Sequence, residues 1–204
     1  MTFLKYWSVA AALALLLAGC CGSVEPTVKI GLSAPFEGQD RDLGYEVLHA
    51  VRLATRERNE GGGLADRYLV EMVALNDFDE ADEAVDQAYE MATDPDVMGV
   101  LGGWSPGTAA AAAPVYERLE LAFVAPPADW SAAGFPATGA AVDSDAIDRP
   151  FAEGYQALSG GVPPGPAAYW AYAEAQRLLD AIEAAVRDNG RPTRDAVSAL
   201  LPGD

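Results

Sequence analysis

Val97-Met98-Gly99-Val100-Leu101-Gly102-Gly103-Trp104-Ser105-Pro106-Gly107-Thr108 is the stretch that decides the fold. Val97 to Leu101 is apolar apart from one glycine and reads as a short buried strand. Two glycines make a turn, and Thr108 to Leu119 follows as an Ala-rich helix. Strand, glycine turn and helix in that order form part of a βαβ unit, in which the strands run parallel.

The same alternation extends in both directions. Upstream, Thr27 to Ser33 predicts a strand. Asp42 to Asn59 predicts a helix with Leu43, Val47, Ala50, Val51 and Ala54 on one face, stopped by Gly61-Gly62-Gly63. Tyr68 to Leu75 is a second strand, and Asp79 to Thr93 a helix that turns Ala81, Ala84, Val85, Ala88 and Met91 inward. Downstream, Leu121 to Ala125 is a fourth strand. The chain is therefore read as α/β, a parallel sheet with helices on both faces in three αβα layers. Pro and Gly punctuate residues 126–150, with one further strand expected at 137–142. Helices resume at Ile147 to Leu158, Ala167 to Asp188 and Arg194 to Leu201. The middle one stripes Ala171, Ala175, Leu178, Ile182 and Ala185 along one side and stops at Asn189-Gly190, and Thr193 is the expected N-cap of the last. No internal repeat appears.

The amino terminus carries an address. Lys5 precedes Val9 to Ala18, ten residues without a polar side-chain atom. That length suits the apolar region of a signal peptide, whereas a spanning helix needs about 20 residues. Leu17-Ala18-Gly19-Cys20 resembles the lipobox of bacterial lipoprotein precursors. The resemblance implies removal of residues 1–19, lipidation of Cys20, and display on the outer face of the cell membrane. Cys20 and Cys21 are the only cysteines, so neither a disulfide framework nor a Cys-based zinc site is available to the domain. Cleavage would remove Lys5 and no acid, leaving 12 basic against 31 acidic residues, a net charge of −19. Such a charge disfavours nucleic acid and anionic membrane surfaces as partners.

Few motifs carry chemistry. The turn at Gly102 to Thr108 lies at the carboxyl end of a parallel strand, where open α/β sheets bind ligands. Glycines admit close backbone approach, and a helix start with the Ser105 and Thr108 hydroxyls suits a carboxylate or phosphate. An equal alternative is that Ser105 or Thr108 simply caps the helix. Gly102 and Gly107 have phosphate-loop spacing, but Thr108 stands where Lys is required, so a nucleotide triphosphate is excluded. Asp77, Asp79 and Asp82 lack the sixth-position glycine of a calcium loop, and Asp77 or Asp79 is expected to cap a helix instead. His49 is the sole histidine and is expected as a satisfied boundary residue. Tyr169, Trp170 and Tyr172 are expected to pack. No nucleophile elbow, metalloprotease pair or dinucleotide fingerprint occurs, so no enzyme, cofactor or metal is expected.

Val28-Lys29-Ile30-Gly31-Leu32-Ser33-Ala34-Pro35, Asn59-Glu60-Gly61-Gly62-Gly63, Ala92 to Gly102, Ala113-Pro114-Val115-Tyr116-Glu117 and Phe123-Val124-Ala125-Pro126 together resemble the periplasmic binding proteins of branched-chain amino acid ABC transporters. Tyr155-Gln156-Ala157-Leu158-Ser159-Gly160 and Gly190 to Val197 are similar to the family's C-terminal region. The resemblance implies a Rossmann-like lobe of a type I periplasmic binding protein, with a solute-binding role beside a membrane permease. Members have two lobes, whereas about 22 residues separate the two matching blocks here, far fewer than a domain of typical size. The domain is accordingly divided as 27–128 for the core of lobe one, 129–150 for a shortened crossover and 151–204 for the returning helices, with 20–26 as tether. The resemblance further implies that Ser105 holds a ligand carboxylate. Gly103 and Trp104 would line that loop beside Thr108, and Pro127 and Asp129 would sit on the next. Pro127 has no N–H to donate, and Asp129 would repel a carboxylate but attract an ammonium. The expected solute is an amino acid or a related amide or carboxylate. The alternative is a binding-incompetent lobe that pairs with a protein, or as a homodimer, through the face left open by the missing lobe.

Overall fold

The computed structural model describes residues 25–127 and 149–201. Four strands, β1 (Thr27–Ala34), β2 (Leu69–Asn76), β3 (Val97–Leu101) and β4 (Ala122–Val124), form one sheet in the order β2-β1-β3-β4. All three pairings are parallel. The helices are α1 (Arg41–Glu60), α2 (Ala81–Thr93), α3 (Pro106–Arg118), α4 (Arg149–Ser159), α5 (Pro166–Asn189) and α6 (Arg194–Leu200).

Strand alternation sorts the core into two layers. Val28, Ile30, Leu32 and Ala34 of β1 point to one face, where they meet Val47, Val51 and Ala54 of α1 and Leu178 and Ile182 of α5. On the other face Val97 and Val100 of β3 pack with Ala84, Ala88 and Met91 of α2 and Ala112, Val115 and Tyr116 of α3. Burial of these side chains is the main stabilising contribution, about 1.5–3 kcal/mol for each large one. A register shift after Lys29 leaves Met98 unpaired opposite β1, so Val97 pairs Lys29 while Gly99 pairs Ile30. Gly99 then faces α5 so closely that a Cβ would lie 2.6 Å from Leu178 Cδ1.

The expected αβα architecture is what the chain adopts, with element ends displaced by a residue or two. The α3 start differs for a physical reason: Ser105, not a later residue, is the N-cap, and Pro106 occupies the first helical position, where its fixed φ and missing N–H do no harm. Neither Asp77 nor Asp79 is the N-cap of α2. That position falls to Glu80, which makes no side-chain cap bond, and Ala81, expected inward, is exposed. Thr193 does cap α6, accepting from Ala196 N–H at 3.4 Å. Gly190 ends α5 with φ +74°. The expected strand at 137–142 lies outside the described residues.

α5 has no capping side chain of its own at Gly165. Glu46 of α1 supplies it, its Oε1 accepting the Ala168 N–H at 2.9 Å. Phe151 of α4 is buried among Tyr155, Tyr169 and Tyr172, with ring centroids 4.7–5.9 Å apart. These contacts bind the returning helices to α1, and Tyr169, Trp170 and Tyr172 pack as expected.

Candidate ligand-binding site at the carboxyl ends of the strands

The strand order reverses between β1 and β3, so the crevice outside their carboxyl ends is the position where open α/β sheets take ligands. Three connections meet there: the turn after β1 (from Pro35), the turn after β2 (Asp77 to Glu80) and the loop after β3 (Gly102 to Ser105).

Asn76 and Asp77 tie the first two together. Asn76 Oδ1 accepts the N–H groups of Phe36 at 2.8 Å and Phe78 at 3.1 Å. Asp77 is buried; its Oδ2 accepts the Ser33 hydroxyl at 3.0 Å and its Oδ1 the Asp79 N–H at 3.1 Å. Burial pushes its carboxyl above the ordinary carboxylate range, partly offset by the Asp79 and Ser33 hydrogen bonds. Burial also raises the phenol of Tyr116, with the charge of Asp77 adding to it. That hydroxyl has no hydrogen-bond partner among the described residues, while its ring stacks on Phe123 at 4.5 Å.

The loop after β3 holds Gly103, Trp104 and Ser105, and the first turn of α3 holds Thr108; most of their polar groups are already engaged. Ser105 Oγ accepts the Thr108 N–H at 3.3 Å, and Thr108 Oγ1 accepts the Ser105 N–H at 3.2 Å, a reciprocal capping box. The capping alternative is thus realised in the fold, and Thr108 is buried. Pro106 brings no N–H, which leaves the Gly107 amide as the donor of the first turn with no helical partner. Trp104 is buried rather than presented to a ligand. Its indole Nε1 donates to Ser33 O at 2.9 Å, and its ring meets that of Trp170 at 5.5 Å and 90°.

The two glycines serve packing rather than ligand approach. Gly103 has φ +71°, and a Cβ there would lie 2.7 Å from Ala109 Cα. A Cβ on Gly102 would lie 3.2 Å from Phe123 and from Ser33. Pro127 follows β4, half-buried at the same end of the sheet. Asp129 and Cys20 lie outside the described residues.

His49 departs from expectation: its Nδ1 is buried with no partner among the described residues, and burial, then the charge of Arg52, lowers its pKa. Ser33 and Asn76 are organising residues that the sequence reading missed, as is the contact of Trp170 with Trp104. The Asn-Asp pair closing β2 was a readable signal, because such residues bond backbone N–H groups in turns. Nothing local marks Trp170 as the neighbour of Trp104.

The sequence profile of the periplasmic binding proteins matches residues 27–140, more than half of the chain. The chain belongs to the periplasmic binding protein family. The Leu/Ile/Val-binding protein homolog 7 of Brucella melitensis is 30% identical over 115 residues, which are 56% of this chain and 28% of the relative. Its counterpart in Brucella suis is 30% identical over 109 residues, 53% of this chain and 27% of the relative. The match therefore spans little more than a quarter of the length of these curated relatives. A branched-chain amino acid ABC transporter protein from Rhodospirillum rubrum superposes with a TM-score of 0.71 at 16% identity, over 85% of this chain and 88% of that one. LivJ of Streptococcus pneumoniae, a branched-chain amino acid transporter substrate-binding protein solved with isoleucine, superposes with a TM-score of 0.67 at 13% identity, over 85% and 87% of the two chains. At such identities these two establish the fold of this periplasmic binding protein.

Proposed function

We propose that this protein is an extracytoplasmic substrate-binding lipoprotein of an ABC transporter, which captures a branched-chain or other amino acid, or a small amide or carboxylate, for uptake. The observation that carries the reading is the β3–α3 loop of a periplasmic-binding-protein lobe, set at the point where the strand order reverses. The solute carboxylate lies at the start of α3, accepting from the Gly107 N–H and the Ser105 hydroxyl, where the helix dipole favours negative charge. Gly103, Trp104 and Thr108 shape that loop from behind. Pro127 closes the neighbouring side, and Asp129 pairs with the solute ammonium. Cys20 carries the lipid that holds the lobe beside a membrane permease. No bond is made or broken.

Thermal-shift titration of the full chain with amino acids, amides and short carboxylates tests the reading. A saturable shift with one chemical class is the expected result, and Asp129→Ala abolishes the shift given by an amino acid. Unchanged affinity in that variant removes Asp129 from the site.

A second reading is a lobe that no longer binds solute and self-associates through the open carboxyl face. Phe78, 43% exposed in the turn after β2, is an apolar side chain that such a contact would cover. A stable dimer in light scattering, with no shift from any solute, selects this reading over the first.

A further inference from the structure

A cavity of about 400 Å³ lies between α1 and the segment that joins α4 to α5. Its volume falls in the range of small-ligand sites. Arg41, Asp42, Tyr45, Glu46 and His49 line it from α1, and Tyr155 from α4. It shares no lining residue with the loop that holds Ser105.

The walls are aromatic and set at an angle. The His49 ring stands 6.0 Å from Tyr155 at 87° and 6.4 Å from Tyr45 at 39°, so the three rings form a corner. Tyr155 is buried and its hydroxyl is fixed on Glu46 O at 3.2 Å, whereas Tyr45 keeps 41% of its surface exposed. A cation already uses this π surface: the Arg41 guanidinium sits 5.7 Å from the Tyr45 ring centroid. Its side chain is 63% exposed and its nearest acid, Asp42, is 3.8 Å away, so it is weakly held and displaceable.

The charge of the cavity is unbalanced. Glu46 forms no ion pair with a basic side chain among the described residues. It is held by the backbone N–H groups of Ala168 and Ala167, yet burial still raises its carboxyl pKa above the ordinary value. His49 adds no compensating charge, because burial lowers its own pKa. A desolvated carboxylate beside two ring faces is complementary to an organic cation, which gains from both the charge and the aromatic quadrupoles.

We infer that the cavity between α1 and the α4–α5 connection is a second small-molecule site, which takes an organic ammonium ion against Tyr45, His49, Tyr155 and the Glu46 carboxylate. The Arg41 guanidinium leaves the Tyr45 ring when the ligand enters.

Isothermal titration of the full chain with choline, and with its uncharged isostere 3,3-dimethylbutanol, tests the inference. Choline binds saturably and the alcohol does not. Glu46→Gln keeps an acceptor for the Ala168 N–H and removes the charge, and Tyr45→Ala alters an exposed ring; each weakens choline roughly 10-fold or more. Arg41→Ala leaves choline binding unchanged or tighter, because the competing cation is gone. Equal responses to choline and the alcohol, full affinity in Glu46→Gln, or loss of binding in Arg41→Ala each overturns the inference. Ser105→Ala leaves choline binding intact, so failure at this cavity and failure of the solute site behind the proposed transport role are read separately.

Discussion

The indole N–H of Trp104 donates to the carbonyl of Ser33 at 2.9 Å, while its ring stands perpendicular to Trp170 of α5 at 5.5 Å. One side chain thus joins the loop after β3, the end of β1 and a helix from the far end of the chain. The position of Ser105 next to it is inherited from this arrangement. Trp170→Ala removes a buried ring and leaves a cavity behind the loop, and a loss of about 3–5 kcal/mol in urea denaturation is expected. Trp170→Phe retains part of the contact and falls between.

Gly103 is held at φ +71° with Ala109 directly above it. Gly103→Ala combines a disfavoured backbone conformation with a clash against main chain that cannot rotate away. Destabilisation by more than about 2 kcal/mol is expected, read from the denaturation midpoint at unchanged slope.

Asp77 gives a pH dependence whose sign follows from burial. Its folded pKa is raised above the ordinary 3.8, so the folded state binds the proton more tightly than the unfolded state. Its contribution is most favourable below the unfolded value and is lost as pH rises through the folded pKa. Asp77→Asn preserves an acceptor for Ser33 and removes that slope. The stability difference between wild type and variant therefore moves against wild type on passing from acid to neutral pH, and a flat difference refutes the assignment.

Arg194 binds α6 to the start of β3 and the end of α2. Its guanidinium donates to Val97 O at 3.0 Å, to Ala92 O at 3.2 and 3.3 Å, and to Asp94 O at 2.6 Å. Arg194→Ala leaves the carbonyls at the C-terminus of α2 without their charged donor, and a loss of about 2–3 kcal/mol is expected. Arg194→Lys recovers only part of it, because one ammonium cannot reach three separate carbonyls.

Ser105 has two separable roles. Ser105→Ala removes the N-cap and lowers stability by about 1 kcal/mol, with or without a ligand. Ser105→Asp keeps a capping acceptor and places a negative charge where a carboxylate is proposed to bind. Retained stability with lost response to carboxylate solutes is the expected outcome, measured by thermal shift of both variants.

Much of the architecture was legible in the residues. The periods of β1, α1, β3 and α5 are set by side chains that must all point into one of two cores, and such spacing is visible along the chain. Helix ends with a local cause, such as Thr193 and Gly190, were legible too. The start of α2 was not, because Asp77 is drawn away from the helix end by Ser33, 44 residues earlier. The state of His49 is not legible in the sequence either, because only the fold buries its Nδ1 without a partner among the described residues.

The sequence by itself determined the αβα class and the family, because each is written in local spacing or a contiguous motif. Tertiary structure decided what the Gly102 to Thr108 loop does. Its glycines yield to Ser33, Phe123 and Ala109, its hydroxyls close a capping box, and Trp104 turns inward to Trp170. It also decided that Glu46 caps a helix more than a hundred residues away while facing an aromatic cavity. Contacts of that span depend on how whole helices pack against the sheet, and no short stretch of sequence encodes them.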